Sequence, residues 1–225
     1  GTYDNRLISS LWSSDEKNSM LLTYQTETSV DEMDSYVTDD YFGFLDDSEG
    51  VTLASDKLDI SIGRIPVRNR QEAAIAIQKI KRYMSNSDSG IWQNNLAFVA
   101  DDAVASNNSQ SGEKAHIQDI DSYTEIIKKA HPEFIISKIY LDAYEREQTT
   151  NGSRYPTVKE GIIKRLEEGT TLLTFSGHGS PNDWTHEYVL TYSDIEAMSN
   201  TRLPVWLTAP CDFTRFDQDK TSGGE

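Results

Sequence analysis

Thr170-Thr171-Leu172-Leu173-Thr174-Phe175-Ser176-Gly177-His178-Gly179-Ser180 is the stretch on which the fold turns. Thr170 to Ser176 is apolar and rich in β-formers, and it has the length of a buried strand. A histidine bracketed by glycines follows it at once. Downstream, a short helix over Ser193–Met198 precedes a second apolar strand, Leu203–Ala209, which delivers Pro210-Cys211. Upstream, Gly169 closes a helix that Thr157 caps, with Glu160 three residues later at capping-box spacing. Before it come a β-branched strand over Phe134–Leu141 and a helix over Ala115–His131 that stops at Pro132. Earlier still lies a short run, Leu96-Ala97-Phe98-Val99-Ala100, ending in Asp101-Asp102. Strands alternating with helices predict an α/β fold, with a mainly parallel sheet and helices on both faces.

The N-terminal part is less regular. Residues 1–56 are polar and punctuated by Asp, Ser and Thr, and they read as loops with short strands. Leu58-Asp59-Ile60-Ser61-Ile62-Gly63 alternates apolar and polar residues, the pattern of a half-buried strand. Asn69 is placed to cap a helix from Arg70 to Met84, whose apolar residues Ala73, Ile77, Ile80 and Met84 recur every three or four. A polar linker, Ser85–Gly90, separates 1–90, an incomplete first subdomain, from 91–225, the catalytic subdomain. Gly1 stands where a start Met would be, and the last residues add no closing element, so the chain reads as a fragment cut at both ends.

Composition narrows the partners. The chain has 225 residues, 21 Lys and Arg against 37 Asp and Glu, and a formal charge of −16. Neutralising a phosphate backbone needs clustered Lys and Arg, so nucleic acid is excluded as a partner. Apolar residues make up 36% of the chain, enough for a packed core, yet no apolar run approaches a membrane-spanning length. One cysteine excludes an internal disulfide and a Cys-rich zinc site.

In open α/β sheets ligands bind beyond the carboxyl ends of the strands. Three runs end there in ionisable residues: Asp101-Asp102, His178 and Cys211. A Cys beside a His is a nucleophile with its base, because the reactive form is the thiolate. Cys211 follows a proline at a strand end rather than lying mid-strand. Gly177 permits unusual dihedrals and Gly179 allows close approach to the backbone, so the N–H groups of Gly179 and Cys211 could together stabilise an oxyanion. The other histidines, His116, His131 and His186, read as structural or exposed. Competing motifs fail: Leu190 stands where HExxH needs its second His, and Ser176–Ser180 has His at the centre of what would be a GxSxG elbow. Asp39-Asp40 and Asp46-Asp47-Ser48-Glu49 offer oxygens to a structural Ca²⁺, without EF-hand spacing; no cofactor is expected to be required. Asn107-Asn108-Ser109 and Asn151-Gly152-Ser153 are glycosylation sequons of a kind common by chance.

The glycine-bracketed His178, Trp184 shortly after it, and Cys211 33 residues beyond the His resemble the gingipain family of cysteine peptidases. Asp40-Tyr41-Phe42-Gly43 and Ile62-Gly63-Arg64-Ile65-Pro66-Val67 extend the likeness upstream, so most of 39–217 is covered. The resemblance implies a caspase-like fold with Cys211 as nucleophile and His178 as base. It also implies an oxyanion hole from Gly179 and Cys211, Asp102 orienting the His, and Trp184 walling the S1 pocket. Asp102 is preferred to Asp101 because it would share a strand face with Phe98 and Ala100. Gly112-Glu113-Lys114-Ala115-His116 lacks the Asp that Arg-specific members place there, so Arg specificity is not implied, with Glu113 the nearest carboxylate.

Gly177–Glu187 and Ala209–Phe213 are most similar to the sortase-like signal peptidases of the type IX secretion system. That branch implies a location at the bacterial cell surface, associated with the outer membrane. Its substrates would be secreted proteins carrying a C-terminal sorting domain, with lipopolysaccharide as acceptor and other secretion-system components as partners. Two other readings stay open: a secreted endopeptidase with no sorting role, and a non-catalytic binding domain that keeps the fold.

Overall fold

The computed structural model describes residues 21, 23–25, 37–50, 55–103, 114–211, 213–216 and 221–225. The chain forms two compact units, one of residues 1–81, 214–223 and 225, the other of residues 82–213 and 224.

In the first unit, β1 (Tyr24–Gln25) pairs antiparallel with β2 (Val37–Thr38). Leu58–Gly63, expected as a strand, is not one. Asp59 and Ile60 donate their N–H groups to the Gly43 carbonyl, and no ladder partner is present among the described residues. Leu58 and Ile60 are also 42% and 48% exposed, so their alternation has no sheet face to bury. Helix α1 (Arg70–Ser85) forms where expected, and Asn69 Oδ1 accepts the Glu72 N–H at 2.9 Å as its cap. Its apolar stripe stays exposed, with Ile77 at 49% and Met84 at 77%.

The second unit is built on a four-stranded sheet. In chain order its elements are β3 (Asn95–Ala100), α2 (Lys114–Ala130), β4 (Ile135–Tyr140), a hairpin of β5 (Glu147–Thr149) and β6 (Gly152–Arg154), and α3 (Pro156–Glu168). There follow β7 (Leu172–Ser176), a small hairpin of β8 (Asp183–Trp184) and β9 (Leu190–Thr191), the short α4 (Tyr192–Glu196), and β10 (Val205–Thr208). The sheet order is β10-β7-β3-β4 and every pairing in it is parallel. The α/β class expected from the sequence therefore holds.

Strand alternation divides the core. On β3, Leu96, Phe98 and Ala100 face α2 and pack on Ile120, while Ala97 and Val99 face the opposite way and pack with Val158, Ile162 and Leu166 of α3. Those three α3 residues recur at positions i, i+4 and i+8 and are at most 1% exposed. Burial of each contributes about 1.5–3 kcal/mol. Helices thus cover both faces. α3 starts one residue before its expected cap: Tyr155 is the N-cap and Pro156 opens the helix, where the missing N–H of proline has no intrahelical partner to lose. Gly169 ends it with φ 96°, a left-handed conformation that disfavours any side chain.

Candidate active site

Topology positions the site. From β3 the chain crosses one face through α2 and adds β4; it then crosses the other face through α3 and returns to β7 on the far side of β3. The winding reverses between β3 and β7, and ligands in open α/β sheets bind in the crevice at such a reversal. Asp101-Asp102 leaves β3 there and Gly177-His178-Gly179 leaves β7 there.

Cys211 arrives one strand further out. Val205 of β10 pairs with Leu172 of β7, and Thr208 with Phe175, an offset of 33 residues. The same offset separates Cys211 from His178. The Ala209 N–H continues the ladder by donating to the Phe175 carbonyl at 3.1 Å. Sheet register thus gives Cys211 and His178 matching backbone positions just beyond the two strand ends. The two turns touch: a Cβ on Gly179 would lie 2.5 Å from Pro210 Cβ. Cys211 is exposed and His178 half-buried.

The two glycines are required for space. Gly177 does not adopt a left-handed φ, contrary to the expectation of unusual dihedrals. A Cβ there would instead meet Asp101 Cβ at 2.6 Å and Phe175 Cζ at 2.7 Å. Gly179 lies between two backbone hydrogen bonds, Thr185 N–H to the His178 carbonyl at 2.9 Å and Ser180 N–H to the Asp183 carbonyl at 2.9 Å. Neither uses its own N–H. Among the described residues, no hydrogen bond takes the N–H of Gly179 or of Cys211.

The two aspartates divide their tasks. Asp101 Oδ2 accepts the His178 N–H at 2.9 Å, and its Oδ1 accepts the Asp102 N–H at 2.9 Å. Asp102 Oδ2 accepts the Tyr155 hydroxyl at 2.8 Å. Both aspartates are buried. Burial, with the charges of Asp102 and Glu187 adding to it, pushes the Asp101 carboxyl up to about 6 despite its two backbone donors. Burial first, then the bond to Asp102, pushes the Tyr155 phenol up, so it stays a neutral donor.

Trp184, expected to wall a substrate pocket, is corrected by the structure. It is 0% exposed, stacks on Phe175 at 4.3 Å between ring centroids, and packs against Trp206 and Phe213. A ring with no exposed area offers nothing to a substrate and acts here as core beneath the turn. His116 and His186, read as structural from the sequence, flank His178 with ring centroids at 5.5 and 5.9 Å. His116 Nδ1 lies 3.0 Å from Ser176 Oγ. No local pattern marked these neighbours, because helix and hairpin converge on the sheet edge only in three dimensions. Glu113, Asp212 and the Asn107 sequon lie outside the described residues.

Among the described residues, three carboxylates spaced for a metal occur once, in the first unit: ligand oxygens of Asp46, Glu49 and Asp59 lie within 4.8 Å of one another. Ca²⁺ takes six to eight oxygens, so these would supply part of a shell. Asp39, also expected as a ligand source, instead accepts Arg64 Nε and Nη2, each at 2.6 Å.

The sequence model of peptidase family C25 matches residues 3–225. No curated protein sequence is a match. Among solved structures, the Arg specific cysteine proteinase gingipain R (RgpB) is similar with a TM-score of 0.48 and 16% identity, over 70% of this chain and 33% of that one. The complex of Porphyromonas gingivalis RgpB pro- and mature domains gives a TM-score of 0.46 and 17% identity, over 64% and 31%. The chain spans about a third of the length of these solved chains.

Proposed function

The chain belongs to peptidase family C25, and from that premise we propose that it carries the nucleophile and general base of a cysteine peptidase. The observation that supports the proposal is the shared offset of 33 residues between the β7–β10 register and the His178–Cys211 separation, which gives the two residues matching positions just beyond two paired strands.

The proposed chemistry uses this chain's own groups. His178 takes the Cys211 proton, and the thiolate attacks the scissile carbonyl carbon. The carbonyl π pair moves to oxygen, where the N–H groups of Gly179 and Cys211 stabilise the charge. Collapse expels the amine, which takes the proton back from His178 and leaves a thioester on Cys211. Water resolves the thioester to a carboxylate; an incoming amine resolves it to a new amide. Asp102, held by the Tyr155 hydroxyl, is proposed to orient His178.

At the finer level, we assign the chain to the signal-peptidase branch typified by PorU, on the resemblance of Gly177–Glu187 and Ala209–Phe213. Its substrates would be secreted proteins with C-terminal sorting domains, released at the outer membrane surface and joined to lipopolysaccharide. The test is Cys211→Ala in the full-length protein. Hydrolysis and cargo processing are expected to fall at least about a thousandfold, with circular dichroism and the unfolding midpoint unchanged. Processing at the wild-type rate would overturn the reading.

A further inference from the structure

One buried ionisable group at the reversal point has no part in the chemistry above. Asp101 is 4% exposed and accepts two main-chain N–H groups, those of Asp102 and His178. Its own N–H donates to the Ser176 carbonyl at 3.0 Å, so β3 and β7 stay joined beyond their last paired residues. The missing side chain at Gly177 is what lets Asp101 come this close. On the other side, the His178 carbonyl accepts the Thr185 N–H. His178 is therefore gripped at both of its peptide groups, and the direction of its Cα–Cβ bond is set by those two bonds.

We propose that Asp101 is a positioning residue for the peptidase reaction: its carboxylate fixes the Gly177-His178-Gly179 turn, and so aims the imidazole and the Gly179 N–H at Cys211. The proposal rests on the reading of Cys211 and His178 as nucleophile and base, and it adds a residue that touches neither substrate nor reacting atoms.

The electrostatics agree with that geometry. Asp102 on its own strand end and Glu187 from the β8–β9 loop face Asp101, and together with burial they oppose its ionisation. A carboxylate presents acceptors at both oxygens, whereas a carboxylic acid turns one oxygen into an O–H donor. Protonation therefore leaves one of the two N–H groups without its acceptor. The His178 N–H bond favours the ionised form, so within the folded chain the grip weakens as pH falls through about 6, even though burial makes the folded chain as a whole prefer the protonated acid.

Amide hydrogen exchange in the full-length protein reads the grip directly. In the wild type, protection of the His178 amide, corrected for the intrinsic rate, should fall about tenfold or more between about pH 7.5 and about pH 5. In Asp101→Asn, which keeps the shape but has one acceptor, protection at the higher pH should already be about tenfold lower. The pH step should then be absent. For hydrolysis, kcat should fall about tenfold or more while KM stays within about twofold. Equal His178 protection in wild type and variant at both pH values overturns the proposal, as does a protection loss with kcat unchanged. If Asp101→Asn does not fold, the wild-type pH series decides alone, and a flat series overturns the proposal. Exchange needs no turnover, so these outcomes are separate from failure of the peptidase reading, which shows as hydrolysis persisting in Cys211→Ala.

Discussion

A single methyl group is enough to test the contact between the two turns. Gly179 Cβ would sit 2.5 Å from Pro210 Cβ and 3.0 Å from the Asp183 carbonyl. Both neighbours are backbone or ring atoms that cannot rotate away. Gly179→Ala is therefore expected to destabilise the second unit by about 1–3 kcal/mol, as overpacking does. It should also lower kcat/KM by about a hundredfold, the scale on which a misplaced oxyanion donor acts. Urea unfolding and steady-state hydrolysis of the full-length protein check the two parts; retained activity would show that Gly179 N–H is not part of the oxyanion site. The aspartate pair shows where side-chain chemistry escapes a pattern. Strand alternation favoured Asp102 because it would share a face with Phe98 and Ala100. The strand ends at Ala100, so alternation stops just before the residues it was used to sort. Asp101 ends up holding the His178 N–H, and Asp102 the Tyr155 hydroxyl.

At the scale of elements, the site depends on α3 and on the small β8–β9 hairpin as much as on the sheet. Ile162 is 0% exposed and sits mid-helix in the same core cluster as Val99, Leu173 and Phe175. Ile162→Ala should cost about 2–5 kcal/mol of stability, measured by urea unfolding, because the sheet beneath it cannot collapse to fill the space. A loss under about 0.5 kcal/mol would mean that α3 does not anchor this face. The hairpin is held by the Phe175–Trp184 stack and returns the Thr185 N–H to His178. Its turn contains Thr185 at φ 60° and Tyr188 at φ 57°, left-handed conformations that are strained for residues with these side chains. Two further contacts hold that turn: Glu187 pairs with Arg146 at 2.8 Å, and the Arg154 guanidinium lies 4.5 Å from the Tyr188 ring centroid. These long-range partners, rather than local preference, keep the strained backbone in place.

At the scale of the whole molecule, Asp101 ties stability to pH in a direction opposite to most carboxylates. Its carboxyl is raised from 3.8 to about 6, so the folded chain binds this proton more tightly than the unfolded one. The stabilisation is fully present below about 3.8 and is lost as pH rises through about 6. Ionised Asp101 thus lowers stability at neutral pH by about 3 kcal/mol, of which roughly 1 kcal/mol returns on going to pH 5. Urea unfolding of wild type minus Asp101→Asn across this range should show that slope, and a difference that does not vary with pH would exclude it. The amino-acid sequence by itself determined the α/β class and the helix-by-strand order, because period and capping are local: Asn69 caps α1 and Gly169 ends α3 as read. It also singled out Cys211 and His178 as the proposed nucleophile and base, since a proline and two glycines beside them break the local pattern. Tertiary structure alone decided that Asp101 grips the turn, that His116 and His186 flank His178, that Trp184 is core, and that Leu58–Gly63 is no strand. Each of those depends on which distant backbone comes within hydrogen-bond or van der Waals reach, and sheet register and helix crossing set that distance rather than any spacing along the chain.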